Sequence, residues 1–158
     1  LWVQAFQSFL FNECLEARIA NETWNVCQCG DLIWSHVGKG SSFLLTEEEL
    51  QTGDIQERQQ KQLISPTGPM WGTKMRMPEG ETADLEKKLL ESHGITQSNF
   101  EAVKKFAKGS RRPLRVPVQR LSLSGGVDEH GDFIRVQMEM PAGSYATVLI
   151  DQLLSALP

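Results

Sequence analysis

The hydrophobic period of the chain changes near Arg115, and this change constrains the fold more than any other feature. Before it, apolar residues recur mostly at three- and four-residue spacing; after Pro113 they alternate, as Leu114, Val116 and Val118, then Leu121 and Leu123, then from Phe133 to Met140. The first spacing buries one face of a helix and the second one face of a strand. A chain with both patterns in separate blocks is α+β, with a mixed α/β lobe over residues 1–115 and a strand, strand, helix segment over 116–158.

Trp2, Phe6, Phe9, Leu10, Cys14 and Ala17 share one face of a predicted first helix that Asn21 ends, and that face is expected in the core. Gly30 to Trp34 reads as a turn into a short strand, and Ser42 to Leu45 as another; Thr46 with Glu49 three residues on is a capping-box signal. Gln56 to Gln62 is polar and weakly patterned. Ser65-Pro66-Thr67-Gly68-Pro69-Met70-Trp71-Gly72, with its prolines and glycines, predicts a structured loop. Thr82 opens a helix carrying Leu85, Leu89 and Leu90 as far as Gly94. Ser98 with Glu101 opens its hairpin partner, carrying Phe100, Val103 and Phe106 as far as Gly109. The alternation from Leu114 to Leu123 predicts a strand with a register break, and Gly125-Gly126 with Gly131 the turn into the next strand. Ser144 then caps a closing helix, Tyr145 to Leu157, with Val148, Leu149, Leu153 and Leu154 inward.

In 158 residues, 40% hydrophobic and 23% charged content is that of a folded, soluble chain. No apolar run approaches the ~20 residues of a membrane helix, and no basic leader precedes Leu1, so neither a membrane partner nor a targeting segment is expected. Cys14, Cys27 and Cys29 are odd in number, and the last two are too close for an ordinary bridge, so reduced thiols and a cytoplasmic location are expected. The chain opens on Leu1-Trp2-Val3, with no initiator Met and a helical pattern already running, which predicts a fragment.

A net charge of -4 hides a basic strip: Lys104, Lys105, Lys108, Arg111, Arg112, Arg115 and Arg120 fall in a stretch without Asp or Glu. Such a strip in an acidic protein suits a polyanion, because phosphate contacts supply most non-specific affinity for nucleic acid; a solvated helix end with a structural arginine pair is the alternative. Hydrolase chemistry finds little support. Ala142-Gly143-Ser144-Tyr145-Ala146 lacks the glycine placement of a nucleophile elbow. Cys14, Cys27, Cys29 and His36 could number four zinc ligands, but Cys-x-Cys is not the usual knuckle spacing, so no metal is expected. Gly38-Lys39-Gly40-Ser41 lacks the upstream glycine of a phosphate-binding loop.

Several stretches, in order, resemble the C-terminal half of the TruD family of tRNA pseudouridine synthases. Gln7-Ser8-Phe9-Leu10-Phe11-Asn12 resembles the family's Q-S-x-L-F-N helix, Gly30-Asp31-Leu32 its G-D-L turn, and Pro66 to Gly72 its T-G-P-L-x-G loop. Arg111-Arg112-Pro113-Leu114-Arg115 resembles R-R-x-L-R, and Met140 to Thr147 is close to L-P-A-G-S-Y-A-T. Ile150-Asp151-Gln152-Leu153 departs from the family's L-R-E-L, replacing an arginine and a glutamate.

The resemblance implies that residues 1–115 form the family's insertion lobe and that 116–158 supply strands and a helix to a pseudouridine-synthase-type antiparallel sheet. It implies isomerisation of a tRNA uridine, uridine 13 in the family, to pseudouridine without metal or organic cofactor. The family's nucleophile is the aspartate of a G-x-K-D motif, and none of Asp31, Asp54, Asp84, Asp128, Asp132 or Asp151 follows a lysine. The catalytic aspartate is therefore expected upstream, in an N-terminal half that would be this chain's partner, and the chain alone is expected to be inactive. A uracil that detaches, turns and reattaches needs an aromatic ring beside it and basic residues along the RNA. Tyr145 is the candidate for the pocket ring, with core packing at a helix start as its alternative, and the residues from Lys104 to Arg120 are the candidates for tRNA contact. The alternative function is a non-catalytic RNA-binding or assembly module, or one half of a split protein.

Overall fold

A computed structural model describes residues 2–38 and 40–155. The chain divides into two compact units, residues 1–115 and 116–158.

The first unit opens with α1 (Trp2–Ala20), followed by β1 (Leu32–Ser35) and β2 (Ser41–Leu44). Two short helices, α2 (Glu47–Gln51) and α3 (Asp54–Gln60), lead to β3 (Ile64–Met70). Next come α4 (Gly80–Ser92), a 3-10 helix (Gln97–Val103) and β4 (Ser110–Pro113). The strands form an antiparallel sheet in the order β2-β1-β3-β4. One apolar cluster gathers Leu10 of α1, Leu90 of α4, and Trp71, Met75, Phe100 and Ala107; a second joins Cys27, Ile33, Leu45, Ile55 and Ile64.

The stretch predicted as a loop is instead β3, buried almost along its length. Its prolines survive because the strand changes partners midway: Ile64, Ser65 and Pro66 pair with β1, and Thr67 to Met70 pair with β4. Neither edge of β3 needs a full ladder of donors, so the missing N–H groups cost little. At the handover the Thr67 hydroxyl donates to the Leu32 carbonyl at 2.6 Å, supplying a bond to β1 where the backbone ladder has left it. Gly68 admits the Phe11 ring of α1 and the Leu114 side chain, since a Cβ there would meet each at 2.9 Å. Gly72 and Gly109 cross backbone to backbone, with a Cβ on Gly72 only 2.2 Å from the Gly109 nitrogen.

The Thr46–Glu49 capping box forms as the spacing predicts. Polar Gln56–Gln62, which gave little pattern, lies mostly in α3, with Ile55 as its buried anchor. The expected second helix of the hairpin is a 3-10 helix whose capping box uses Thr96 and Asn99 rather than Ser98 and Glu101. Its tighter winding ends at Val103, so Phe106 is not inward but 74% exposed.

The second unit is the hairpin β5 (Gln119–Asp128) and β6 (Gly131–Glu139), followed by α5 (Ala146–Ser155). The expected break in alternation is a register shift between Gln119 and Ser122, where Arg120 takes a left-handed φ of 49°. Gly125 and Gly126 do not make the turn; they lie inside β5 opposite Ile134 and Phe133, and the chain reverses between Asp128 and Gly131. Val148, Leu153 and Leu154 of α5, expected inward, are exposed, and Leu149 is half-buried.

Candidate RNA-binding surface

The basic residues of the strip separate by what their side chains reach. Lys104, Lys105 and Lys108 are exposed on the segment that follows the 3-10 helix. Lys104 lies 3.8 Å from Glu101, an exposed pair that holds it only weakly. Lys74, which composition did not single out, joins them: its N–H donates to the Lys108 carbonyl at 2.7 Å, and its side chain is exposed. The Arg112 guanidinium lies 5.2 Å from the centre of the Phe11 ring, which orients it by cation–π attraction.

Arg115 fastens the end of the first unit. Its guanidinium donates to the Gln59 carbonyl at 2.8 Å, and its own carbonyl accepts the Ser65 hydroxyl at 3.0 Å. With that hydroxyl proton spent, the bond between Ser65 and His36 Nε2 has the imidazole as donor. Burial and the Arg115 charge hold His36 below the ordinary imidazole value. Arg120 lies in the second unit, exposed on the β5 bulge and 2.6 Å from Glu139.

Arg111 is a correction to the strip, because its side chain is only 3% exposed and its donors are spent inside the fold. Two go to the Glu86 carboxylate at 2.8 and 2.6 Å, one to the Thr67 hydroxyl at 3.0 Å and one to the Thr67 carbonyl at 2.8 Å. A second buried pair lies against Thr82, one turn before Glu86 on α4. Arg18 grips Asp31 at 2.9 and 3.0 Å, and Asp31 also accepts the Thr82 hydroxyl at 2.8 Å and the Gln28 N–H at 2.9 Å. Thr82 and Glu86 of α4 thus tie α1, the start of β1, β3 and β4 into one polar network. Burial pushes the Glu86 carboxyl up, with Arg111 opposing. Cys14, among these groups, has its thiol pushed to about 12 by burial and then by the Glu86 charge.

This network was legible only in part. Arg18 falls four residues after Cys14, and Glu86 four before Leu90, so each charge lies on an apolar helix face, which a periodicity reading passes over. Such a charge needs an opposite partner in the core.

The thiols are free, Cys14 and Cys27 buried and Cys29 exposed. Among the described residues no three His, Cys, Asp or Glu side chains come together as metal ligands. Tyr145 is 66% exposed just before α5, after a turn in which the Ser144 N–H donates to the Pro141 carbonyl at 3.2 Å. Its ring is outside any core that the described second unit possesses.

Comparison with known proteins places this frame. The family model for tRNA pseudouridine synthase D (TruD) matches residues 1–153. The tRNA pseudouridine synthase D of Geobacter sulfurreducens is 37% identical over 98% of this chain and 35% of its own length. That of Geobacter metallireducens is 36% identical over 98% and 36%. A crystal structure from Methanosarcina mazei, provisionally described as tRNA pseudouridine synthase D, superposes with a TM-score of 0.74 at 22% identity, over 97% of this chain and 37% of that one, and supports the fold. The chain therefore spans about a third of the length of the curated relatives it matches.

Proposed function

Because the chain belongs to the TruD family of tRNA pseudouridine synthases, we propose that it is the C-terminal part of an enzyme that isomerises uridine 13 of tRNA to pseudouridine in the cytoplasm. In this reading residues 1–115 are the insertion lobe and residues 116–158 complete the catalytic sheet. The aspartate nucleophile belongs to an N-terminal half outside this sequence. The observation that carries the proposal is the family match over residues 1–153 in a sequence where no aspartate follows a lysine.

The second unit supports the same reading. Val127 and Ile134 are 76% and 79% exposed, and Leu121, Leu123 and α5 also show apolar surface. A two-stranded hairpin is marginal in water unless it packs on something, and a catalytic half would supply that surface. Lys104, Lys105, Lys108 and Arg112 are the proposed tRNA contacts of the first unit and Arg120 that of the second, while Arg115 is held by the Gln59 carbonyl. No helix among the described residues is long and apolar enough to cross a membrane.

The reaction breaks the bond from the ribose to uracil N1 and forms one to C5, releasing the C5 hydrogen. Tritium release from tRNA labelled at uracil C5 tests the proposal. The purified chain should release none, and the chain joined to its upstream half should release tritium with pseudouridine formed at position 13. Release by the chain alone would refute the split, and no release by the joined protein would leave an RNA-binding module.

A further inference from the structure

An apolar cleft of about 290 Å³ opens between the start of α1 and the 3-10 helix, lined by Trp2, Phe6, Ile95, Asn99, Phe100 and Val103. Small-molecule sites run about 300–1,000 Å³, so the cleft suits a single planar ring system better than a larger ligand. Three of its walls are aromatic. Trp2 is 88% exposed, so its ring face is open to a stacking partner. Phe100 is held rigid from behind, stacked on buried Trp71 with ring centres 6.4 Å apart and planes 13° from parallel.

Asn99 gives the cleft a polar edge. Its carbonyl oxygen is used, accepting the Thr96 N–H at 2.8 Å and the Thr96 hydroxyl at 2.9 Å. That assignment leaves the amide N–H groups, two donors, for a carbonyl or ring nitrogen. The segment carrying Phe100 and Val103 runs on into Lys104, Lys105 and Lys108, with Lys74 beside Lys108, and holds no Asp or Glu between Glu101 and Asp128. An aromatic slot with amide donors that leads into a row of amines matches an unstacked base followed by its phosphates. An apolar protein segment would leave the amines without counter-charge.

We propose that this cleft is an RNA subsite in which one unstacked nucleobase stacks on Trp2 against the Phe6 and Phe100 walls while Lys105 and Lys108 hold the adjoining phosphates. It rests on the tRNA-binding reading above and adds a base-holding site on the first unit.

The test compares a labelled single-stranded oligouridylate with an abasic ribose-phosphate oligomer of the same length, by fluorescence anisotropy over a salt series. The chain should prefer the oligouridylate by roughly 5- to 150-fold, the effect of one stacked base. Trp2→Ala should bring that ratio close to one without changing the salt slope. Asn99→Asp retains the oxygen that Thr96 requires and removes the amide donors, so it should lower the ratio at unchanged thermal stability. Lys105→Ala should do the reverse, keeping the ratio and lowering the slope.

A chain that does not discriminate the two oligomers, or variants that keep the parent ratio, would overturn the subsite. If full tRNA still binds in that case, the tRNA-binding reading stands alone; if tRNA does not bind either, both fall. Self-association lost in Trp2→Ala would assign the cleft to a second copy, and loss of the ratio when the upstream half is joined would assign it to that half. Either result overturns the proposal.

Discussion

The first unit encloses two apolar clusters and a buried network of two ion pairs, whereas no described residue of the second unit is buried. Both have a strong hydrophobic pattern in sequence, so pattern alone does not make a core. In the first unit the helices return onto the sheet: α1 and α3 pack on β3, and α4 packs on α1. In the second, β5 and β6 pair with each other but leave Leu121, Leu123, Val127 and Ile134 exposed. Under the proposed function its alternation would be one face of the larger sheet that the rest of the enzyme completes.

The largest expected effect strikes the first unit. Arg111→Ala leaves Glu86 buried without its partner, and Glu86→Ala does the same to Arg111, so either should cost about 3–5 kcal/mol. Alkylation reports it within the first unit: Cys14 and Cys27, each with its thiol pushed to about 12, should become reactive, while exposed Cys29 reacts throughout. Hydrogen exchange in β5 and β6 should hardly change. A loss under 1 kcal/mol would show that Arg111 is not a structural arginine and would return it to the RNA strip.

How far the sequence foretold this contrast depends on what each element packs against. The Thr46 capping box, the helices α1 and α4 and the break in the β5 pattern were legible because each is set by neighbours in the chain, but Trp2 and Phe9, expected on the core face of α1, are 88% and 44% exposed. The strand at β3 was not, because its prolines are tolerated only through a change of strand partner at Pro66 that no local signal carries. Phe106 was misplaced because helical spacing was continued past the end of a 3-10 helix. In the basic strip, Lys105 and Lys108 are exposed, whereas Arg111, grouped with them by the same charge rule, is buried. The Trp2 cleft had no sequence signal, since its walls come from segments over ninety residues apart.

In the second unit the sharpest test is Tyr145. Its exposed ring means that Tyr145→Ala should leave the melting temperature unchanged, while catalytic efficiency of the joined enzyme falls roughly ten- to a hundredfold, the loss of ~1–3 kcal/mol of base stacking. Tyr145→Phe should keep most activity. An Ala variant that melts early but is fully active when folded would make Tyr145 a packing residue of the assembled sheet.

The strip itself gives a smaller effect. Lys105→Ala and Arg112→Ala should each lower the log-log salt slope of tRNA affinity by about one, with stability changes within about 0.5 kcal/mol for exposed Lys105. Arg112 also loses its contact with Phe11, so its variant should melt slightly lower. Unchanged slopes in both would make the strip a solvated surface and leave the first unit purely a scaffold.

The smallest effect concerns His36, bonded to Ser65, whose hydroxyl donates to the Arg115 carbonyl at the end of the first unit. Its value in the folded chain lies below the ordinary 6.5, because burial and the Arg115 charge both oppose protonation. The unfolded chain therefore takes up a proton that the folded chain resists. The associated stability is present above the unfolded value and is lost as pH falls through it toward the folded one. His36→Gln retains a donor for Ser65 but cannot be protonated, so the melting temperature of the first unit should fall less steeply below about pH 6.5 than in the parent. At neutral pH the two should nearly coincide. The second unit contains His130, exposed at the β-hairpin turn, and its exchange rates should show no such difference between parent and variant. Parallel acid profiles for parent and variant would mean that the His36 bond to Ser65 does not tie pH to the first unit's stability, and the end at Arg115 would then be held by its backbone and guanidinium bonds alone.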